Sequence, residues 1–214
     1  ACHPQPENTA EPVVKHPTAG WATYQDVTQL FRLEYPADWI VRQTPQEDGF
    51  RVTFTPIRDT SIPVADLPCA ASVFIFFTPE GNPDAYMPQE DVFERWARIY
   101  VAQNAEYGCV YERKEKIFHP GLKSEVVRGY FHGASRGVEF NERLIRLARP
   151  RWTLDLICDA PAGDTDRAAA LERLEMSLRA PESIALGLDT PEDAPVPDRA
   201  ELVKRIRECA VLLA

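Results

Sequence analysis

Four runs, CVYERKEKIF (residues 109–118), KSEVVRGYFH (123–132), VEFNERLIRLA (138–148) and WTLDLIC (152–158), follow one another with little between them. Each is rich in β-branched, aromatic and aliphatic residues, and the connections hold Pro120-Gly121, the stretch from Gly133 to Gly137, and Arg149-Pro150. Connections this short have no room for the crossover that parallel strands need, so the runs predict an antiparallel meander.

Upstream of the meander, Phe50-Arg51-Val52-Thr53-Phe54 alternates with period two and stops at Pro56. Residues 69–77 form a nearly continuous apolar run between Pro68 and Pro79, the pattern of a central strand buried on both faces. Residues 57–68, with Pro63 and Pro68, read as a surface loop. Leu30, Phe31, Leu33 and Tyr35 lie in an extended run closed by Pro36-Ala37-Asp38-Trp39, after which Ile40 and Val41 resume: strand, tight turn, strand. Between Glu90 and Asn104, the residues Val92, Phe93, Trp96, Ile99 and Tyr100 recur at spacings of three and four, which predicts an amphipathic helix. Its aromatic stripe is read as core, because burying such a face is what holds a helix on a sheet. Asp164 is placed to cap a second helix, in which Ala168, Leu171, Leu174 and Leu178 share a face and which ends before Pro181.

The whole chain has 214 residues, 44% apolar and 27% charged, which fits one compact domain with tails and rules out disorder throughout. Lys and Arg number 24 against 33 Asp and Glu, a net charge of -9, so nucleic acid and anionic membrane surfaces are poor partners. No run approaches the roughly 18 to 20 apolar residues of a spanning helix. Residues 1–20 contain Pro4, Pro6, Pro12 and Pro17 among polar side chains, the composition of an extended, disordered tether. Their opening, Ala1-Cys2-His3, is how a bacterial lipoprotein looks when its signal peptide has been trimmed one residue before the lipid-bearing cysteine. Cys2 is therefore the lipidation candidate, and the lipid is the expected membrane contact. The plainer alternative is an expression scar before a loose start. Residues 21–180 form the predicted domain. Residues 181–214 comprise a Pro-rich linker and a C-terminal amphipathic helix with the stripe Val203, Ile206, Ala210 and Leu213, which either folds back, pinned through Cys209, or meets a partner helix.

Five cysteines show no C-x-x-C and no ligand-like spacing with histidine, which argues against structural zinc. In an oxidising compartment Cys69, Cys109, Cys158 and Cys209 are candidate disulfide partners with three possible pairings; otherwise Cys109 and Cys158 are buried thiols at strand positions. Gly133-Ala134-Ser135-Arg136-Gly137 matches the G-x-S-x-G pattern of a nucleophile elbow. It is followed by strand-like sequence, however, and all four histidines precede Ser135, against the order of that triad. No catalytic residue is assigned. His119 and His132 are the domain's only histidines, and with Glu112 or Glu125 they would supply a metal site if they converged; no metal and no cofactor is assigned on that pair alone. Arg143, Arg146, Arg149 and Arg151 concentrate positive charge in an acidic chain and form the candidate patch for an acidic protein partner. The plain alternative is a solvated sheet face paired with Glu139, Glu142 or Asp155.

Trp21-Ala-Thr-Tyr24 followed by Phe31-Arg-Leu-Glu-Tyr35-Pro36-Ala-Asp38-Trp39 resembles the opening hairpin of the PsbP and DcrB-like superfamily, with its F-x-x-x-Y-P-x-x-W signature. The resemblance spans roughly residues 21–180 and implies an α+β fold, an α/β/α sandwich with a mainly antiparallel sheet. It further implies a non-enzymatic extracytoplasmic lipoprotein of the cell envelope, a protein-binding or assembly module whose partner is unidentified. The alternatives are a small-molecule or metal-binding envelope protein and a cytosolic chaperone or adaptor of DcrB-like fold.

Overall fold

A computed structural model of the chain describes residues 20–26, 28–56, 70–78, 81–135 and 137–180. Its main element is a seven-stranded sheet in the order β3-β4-β5-β9-β8-β7-β6, in which every neighbouring pair is antiparallel. The strands are β3 (Trp39–Gln46), β4 (Gly49–Pro56), β5 (Ala71–Phe77), β6 (Val110–His119), β7 (Ser124–Ser135), β8 (Val138–Arg149) and β9 (Trp152–Pro161). A separate two-stranded hairpin is formed by β1 (Trp21–Gln25) and β2 (Arg32–Pro36). Between β5 and β6 the chain makes α1 (Gln89–Gln103), and after β9 it makes α2 (Thr165–Ser177). The predicted meander is present as β6 to β9, and its last strand returns to pair with β5, placing both in the interior of the sheet.

The period of two along each strand divides the core between two faces. On one face lie α2 and the β1–β2 hairpin, over Phe50, Val52, Phe54, Ile75, Leu154 and Leu156, with Leu171 and Leu174 of α2 pressed onto them. On the other face α1 packs on β6, β7 and β8 through Phe93 and Ala97, against Val127, Phe131, Leu144 and Ile157. The layers are therefore helix, sheet and helix, an α+β sandwich. Each fully buried Phe or Leu contributes about 1.5–3 kcal/mol of burial free energy. Asp164 caps α2 as the sequence predicts, accepting a bond from the Arg167 amide at 2.9 Å. The 3-10 turn Pro83–Tyr86 is anchored by Asn82, whose amide donates to the Arg149 carbonyl and to Thr153 Oγ1, both at 3.0 Å.

Two expectations need correction, and of the two cysteine readings one is met at Cys109 and Cys158. The strand, turn and strand around Pro36 to Trp39 are present, yet β2 and β3 do not pair: the turn at Ala37–Asp38 carries the chain from the small sheet to the large one. Ile99 does not share the buried face of α1; it is 51% exposed, and Ala97 takes its place in the core. Cys109 and Cys158 are both free and buried, and no bridge joins them. The reason is the pleat. Cys158 points into the α2-side core, whereas Cys109 belongs to the α1-side core, so the sheet stands between the two thiols. Cys2, Cys69 and Cys209, the tether at 1–19, the loop at 57–69 and the segment 181–214 lie outside the described residues.

Candidate functional site

Both helices are fastened to the sheet through buried ionisable side chains. Under α2, Glu175 is 1% exposed and stands between two sheet arginines, pairing with Arg128 of β7 and with Arg143 of β8 at 3.4 Å. Arg128 also reaches Glu115 of β6 at 3.0 Å, and Tyr130 donates its hydroxyl to the same carboxylate. The Arg113 guanidinium lies 3.6 Å from the Tyr130 ring centroid. Burial raises the Glu175 carboxyl above its ordinary pKa, and the two arginines only partly oppose this. His119 completes the anchorage: fully buried, it donates from Nε2 to the Glu175 carbonyl at 2.9 Å and accepts the Leu122 amide on Nδ1 at 3.3 Å. Burial holds it below the usual histidine range, as a neutral ring with both nitrogens engaged.

Beneath α1 the arrangement is different. Glu142 of β8 and Asp159 of β9 face each other in register, and Tyr100 of α1 donates to Glu142 Oε2 at 2.6 Å. Burial raises the Glu142 carboxyl even though Asp159 and Tyr100 hydrogen-bond to it. Burial also raises the Tyr100 hydroxyl, with the Glu142 charge adding to the effect. The Cys109 thiol is pushed up to about 11 by burial first and by Glu142 next, so it stays protonated and a poor nucleophile. Nearby, Arg146 pairs with Asp155 at 2.7 Å and lies 5.5 Å from the Trp96 ring, while burial lifts Asp155 to about 6. These groups hold elements together.

The residues singled out from sequence are separated. His119 ends β6 opposite Ser124, whereas His132 pairs with Val110 at the other end of the hairpin. Nine residue steps along β6, from Val110 to His119, separate the two positions, about 30 Å at the usual rise. His132 is exposed and paired with Glu112 at 2.9 Å. Among the described residues, no group of three or more His, Cys, Asp or Glu is arranged to hold a metal. The arginine patch is divided as well. Arg143 faces α2 and Arg146 faces α1, Arg149 is half-buried and donates to the Ala148 carbonyl, and Arg151 sits in the β8–β9 turn. Ser135 ends β7 at the hairpin, and Gly133 is covered by the Phe140 ring, which would meet an added Cβ at 2.7 Å.

Sequence reasoning did not find the surface beside α1. That helix covers β6, β7 and β8, but on the same side of the sheet β5 presents Phe74 and Phe76, their rings stacked 5.9 Å apart and nearly parallel. Phe76 is 36% exposed. Arg51 of β4 lies 5.0 Å from the Phe74 centroid and bonds Ser72 Oγ at 2.9 Å, and the register sets exposed Arg42 and Thr44 of β3 alongside. Aromatic rings rimmed by guanidinium groups suit an apolar segment that carries carboxylates. The signal was present in sequence as the even members of the apolar run, Phe74 and Phe76, but only the placement of α1 shows that they are left beside it.

No family model matches the chain, and no curated protein matches it by sequence. Solved structures resemble it in fold. Cyanobacterial PsbP (CyanoP) from Synechocystis sp. PCC 6803 matches with a TM-score of 0.48 at 12% identity, over 80% of this chain and 100% of its own. The Ran-binding protein Mog1p of Saccharomyces cerevisiae matches with a TM-score of 0.42 at 10% identity, over 76% of this chain and 96% of its own. LpqN of Mycobacterium tuberculosis, described as involved in cell envelope biogenesis, matches with a TM-score of 0.38 at 11% identity, over 71% and 83%. At 10–12% identity and TM-scores of 0.38 to 0.48, these similarities assign neither a family nor a role to this chain.

Proposed function

We propose that this chain is a non-enzymatic protein-binding module, held at the cell envelope by a lipid on Cys2 at the end of the tether 1–20. The observation that carries the binding reading is the Phe74–Phe76 stack on the part of the sheet beside α1, rimmed by Arg51 and Arg42. Phe74 is partly buried against the α1-side core, whereas the Phe76 ring stacked on it is 36% exposed, and its burial would be completed only by another surface. The partner is a protein that offers an apolar segment flanked by acidic side chains. This shifts the acidic-partner reading from Arg143, Arg146, Arg149 and Arg151 to the arginines of β3 and β4. The metal or small-molecule alternative depended on His119 and His132 meeting, and they stand at opposite ends of β6 and β7. The lipid-anchor part of the proposal rests on Cys2 and the prolines that follow it, Pro4, Pro6, Pro12 and Pro17.

A photo-crosslinking residue placed at Phe76 in the full-length protein, in its native host, tests the docking surface. The expected result is a discrete protein adduct from position 76, absent from a matched position at exposed Glu172 of α2 and weakened by Arg42→Glu. Identical adducts from both positions, or none from position 76, would refute it.

A further inference from the structure

Two strands end the seven-stranded sheet, and they are not equivalent. The β3 edge is interrupted by Pro45, which has no amide hydrogen to offer another strand. The β6 edge runs for ten residues with neither proline nor glycine, and among the described residues no strand pairs with its outer side. Its ends carry exposed apolar side chains, Val110 at 46% and Phe118 at 65%, and between them lie Glu112, Arg113, Lys114, Glu115 and Lys116. Charge on an edge ordinarily repels an incoming strand. Here Arg113 and Glu115, on one face of the strand, become complementary to each other when the strand is reversed about Lys114.

We propose that β6 is a dimerisation edge, pairing antiparallel with β6 of a second copy about a two-fold axis at Lys114. Arg113 then faces Glu115 of the second copy on the α2 side, twice by symmetry. The bulge at Glu112 decides which side chains meet beyond that pair. Pairing with β7 shifts between Tyr111 and Arg113, so Val110, Arg113, Glu115 and Ile117 all point to the α2 side while Tyr111, Lys114 and Lys116 point to the α1 side. Two residues oppose one at a bulge, so Lys116 meets Tyr111 of the second copy on the α1 side and Ile117 meets Val110 on the α2 side, while Glu112 is turned to His132 on its own sheet. Each contact then joins side chains on the same face. The like charges at the axis are tempered because each Lys114 is already paired with Glu94 of α1 at 2.8 Å. The two sheets become one continuous sheet, and the edge is removed. This inference is independent of the Phe74–Phe76 surface, which lies in the opposite half of the sheet.

Lys114→Cys in the full chain, with Cys2→Ser, Cys69→Ser and Cys209→Ser, reads the axis directly. Directly opposed Cα atoms in an antiparallel pair lie about 4.5–5.5 Å apart, within disulfide reach. Mild oxidation is expected to give a reducible covalent dimer, with Thr44→Cys on β3 in the same background remaining monomeric. By sedimentation, the unaltered chain is expected to dimerise, and Arg113→Glu to weaken the dimer about tenfold by turning two attractive cross-strand pairs repulsive. Arg113→Glu with Glu115→Arg is expected to restore it, with circular dichroism showing each variant folded. A monomeric unaltered chain, cross-linking at position 114 no greater than at position 44, or a dimer indifferent to Arg113→Glu would overturn the proposal.

Discussion

Gly129→Ala tests whether α1 is seated on β7 as described. The Gly129 Cα faces the helix, and an added Cβ would stand 2.2 Å from Phe93 Cζ, 2.7 Å from Cε1 and 3.1 Å from Phe131 Cε2. Carbon atoms pack at about 3.5–4.0 Å, so the ring must retreat by more than about 1 Å or lift the helix. It has little room to do so. Phe93 is 1% exposed, with the rings of Trp96 and Tyr111 centred 6.0 and 6.3 Å away. Overpacking of this kind costs about 1–3 kcal/mol, offset by about 0.4–1 kcal/mol from removing a glycine from a strand, for a net loss of up to about 2.6 kcal/mol. Phe93→Ala alone should cost about 3–5 kcal/mol. In that background the alanine methyl enters space the ring has left, so Gly129→Ala should be neutral or stabilising. Urea denaturation of the four proteins gives the coupling, provided the m-value is unchanged. Equal costs in both backgrounds, within about 0.5 kcal/mol, would refute the contact.

Two other expectations concern the core and its buried charge. Trp39→Ala should destabilise the domain by about 3–5 kcal/mol, because the ring is 7% exposed in the α2-side core; a shift within about 0.5 kcal/mol in the same assay would remove it from that core. Asp155, lifted from 3.8 to about 6, holds its proton more tightly folded than unfolded, so its contribution is complete below about pH 4 and is lost as pH rises through about 6. Burial raises Glu142 and Glu175 in the same direction, so stability measured across that window should fall, and Asp155→Asn should flatten the fall. Parallel curves for the two proteins would contradict the assignment.

What could be read from sequence was whatever a short-range period encodes. The meander, the central strand β5, the capped helix α2 and most of the α1 stripe follow from spacings of two, three and four. What escaped depends on long-range register. Nothing local states that β2 and β3, two residues apart, belong to different sheets. Glu142 meets Asp159 only because β8 pairs with β9 in one particular register. The arginine patch failed for a reason that was legible: Arg143 and Arg146 differ by an odd number of residues, so any strand sends them to opposite faces. Ile99 had the right spacing at its neighbours' scale but lies past the width of the contact that α1 makes. The Phe74–Phe76 surface required knowing where α1 stops, which no window of sequence contains.

The central claim, an envelope-anchored binding module, is tested most directly by the intact mass of the protein made from its full-length gene in a bacterial host, with thiol alkylation before and after unfolding. The account predicts a diacylglyceryl mass on Cys2, with Cys109 and Cys158 alkylated only once the chain unfolds. A chain with no lipid and a freely alkylated Cys2 would contradict the anchor and favour a cytosolic adaptor.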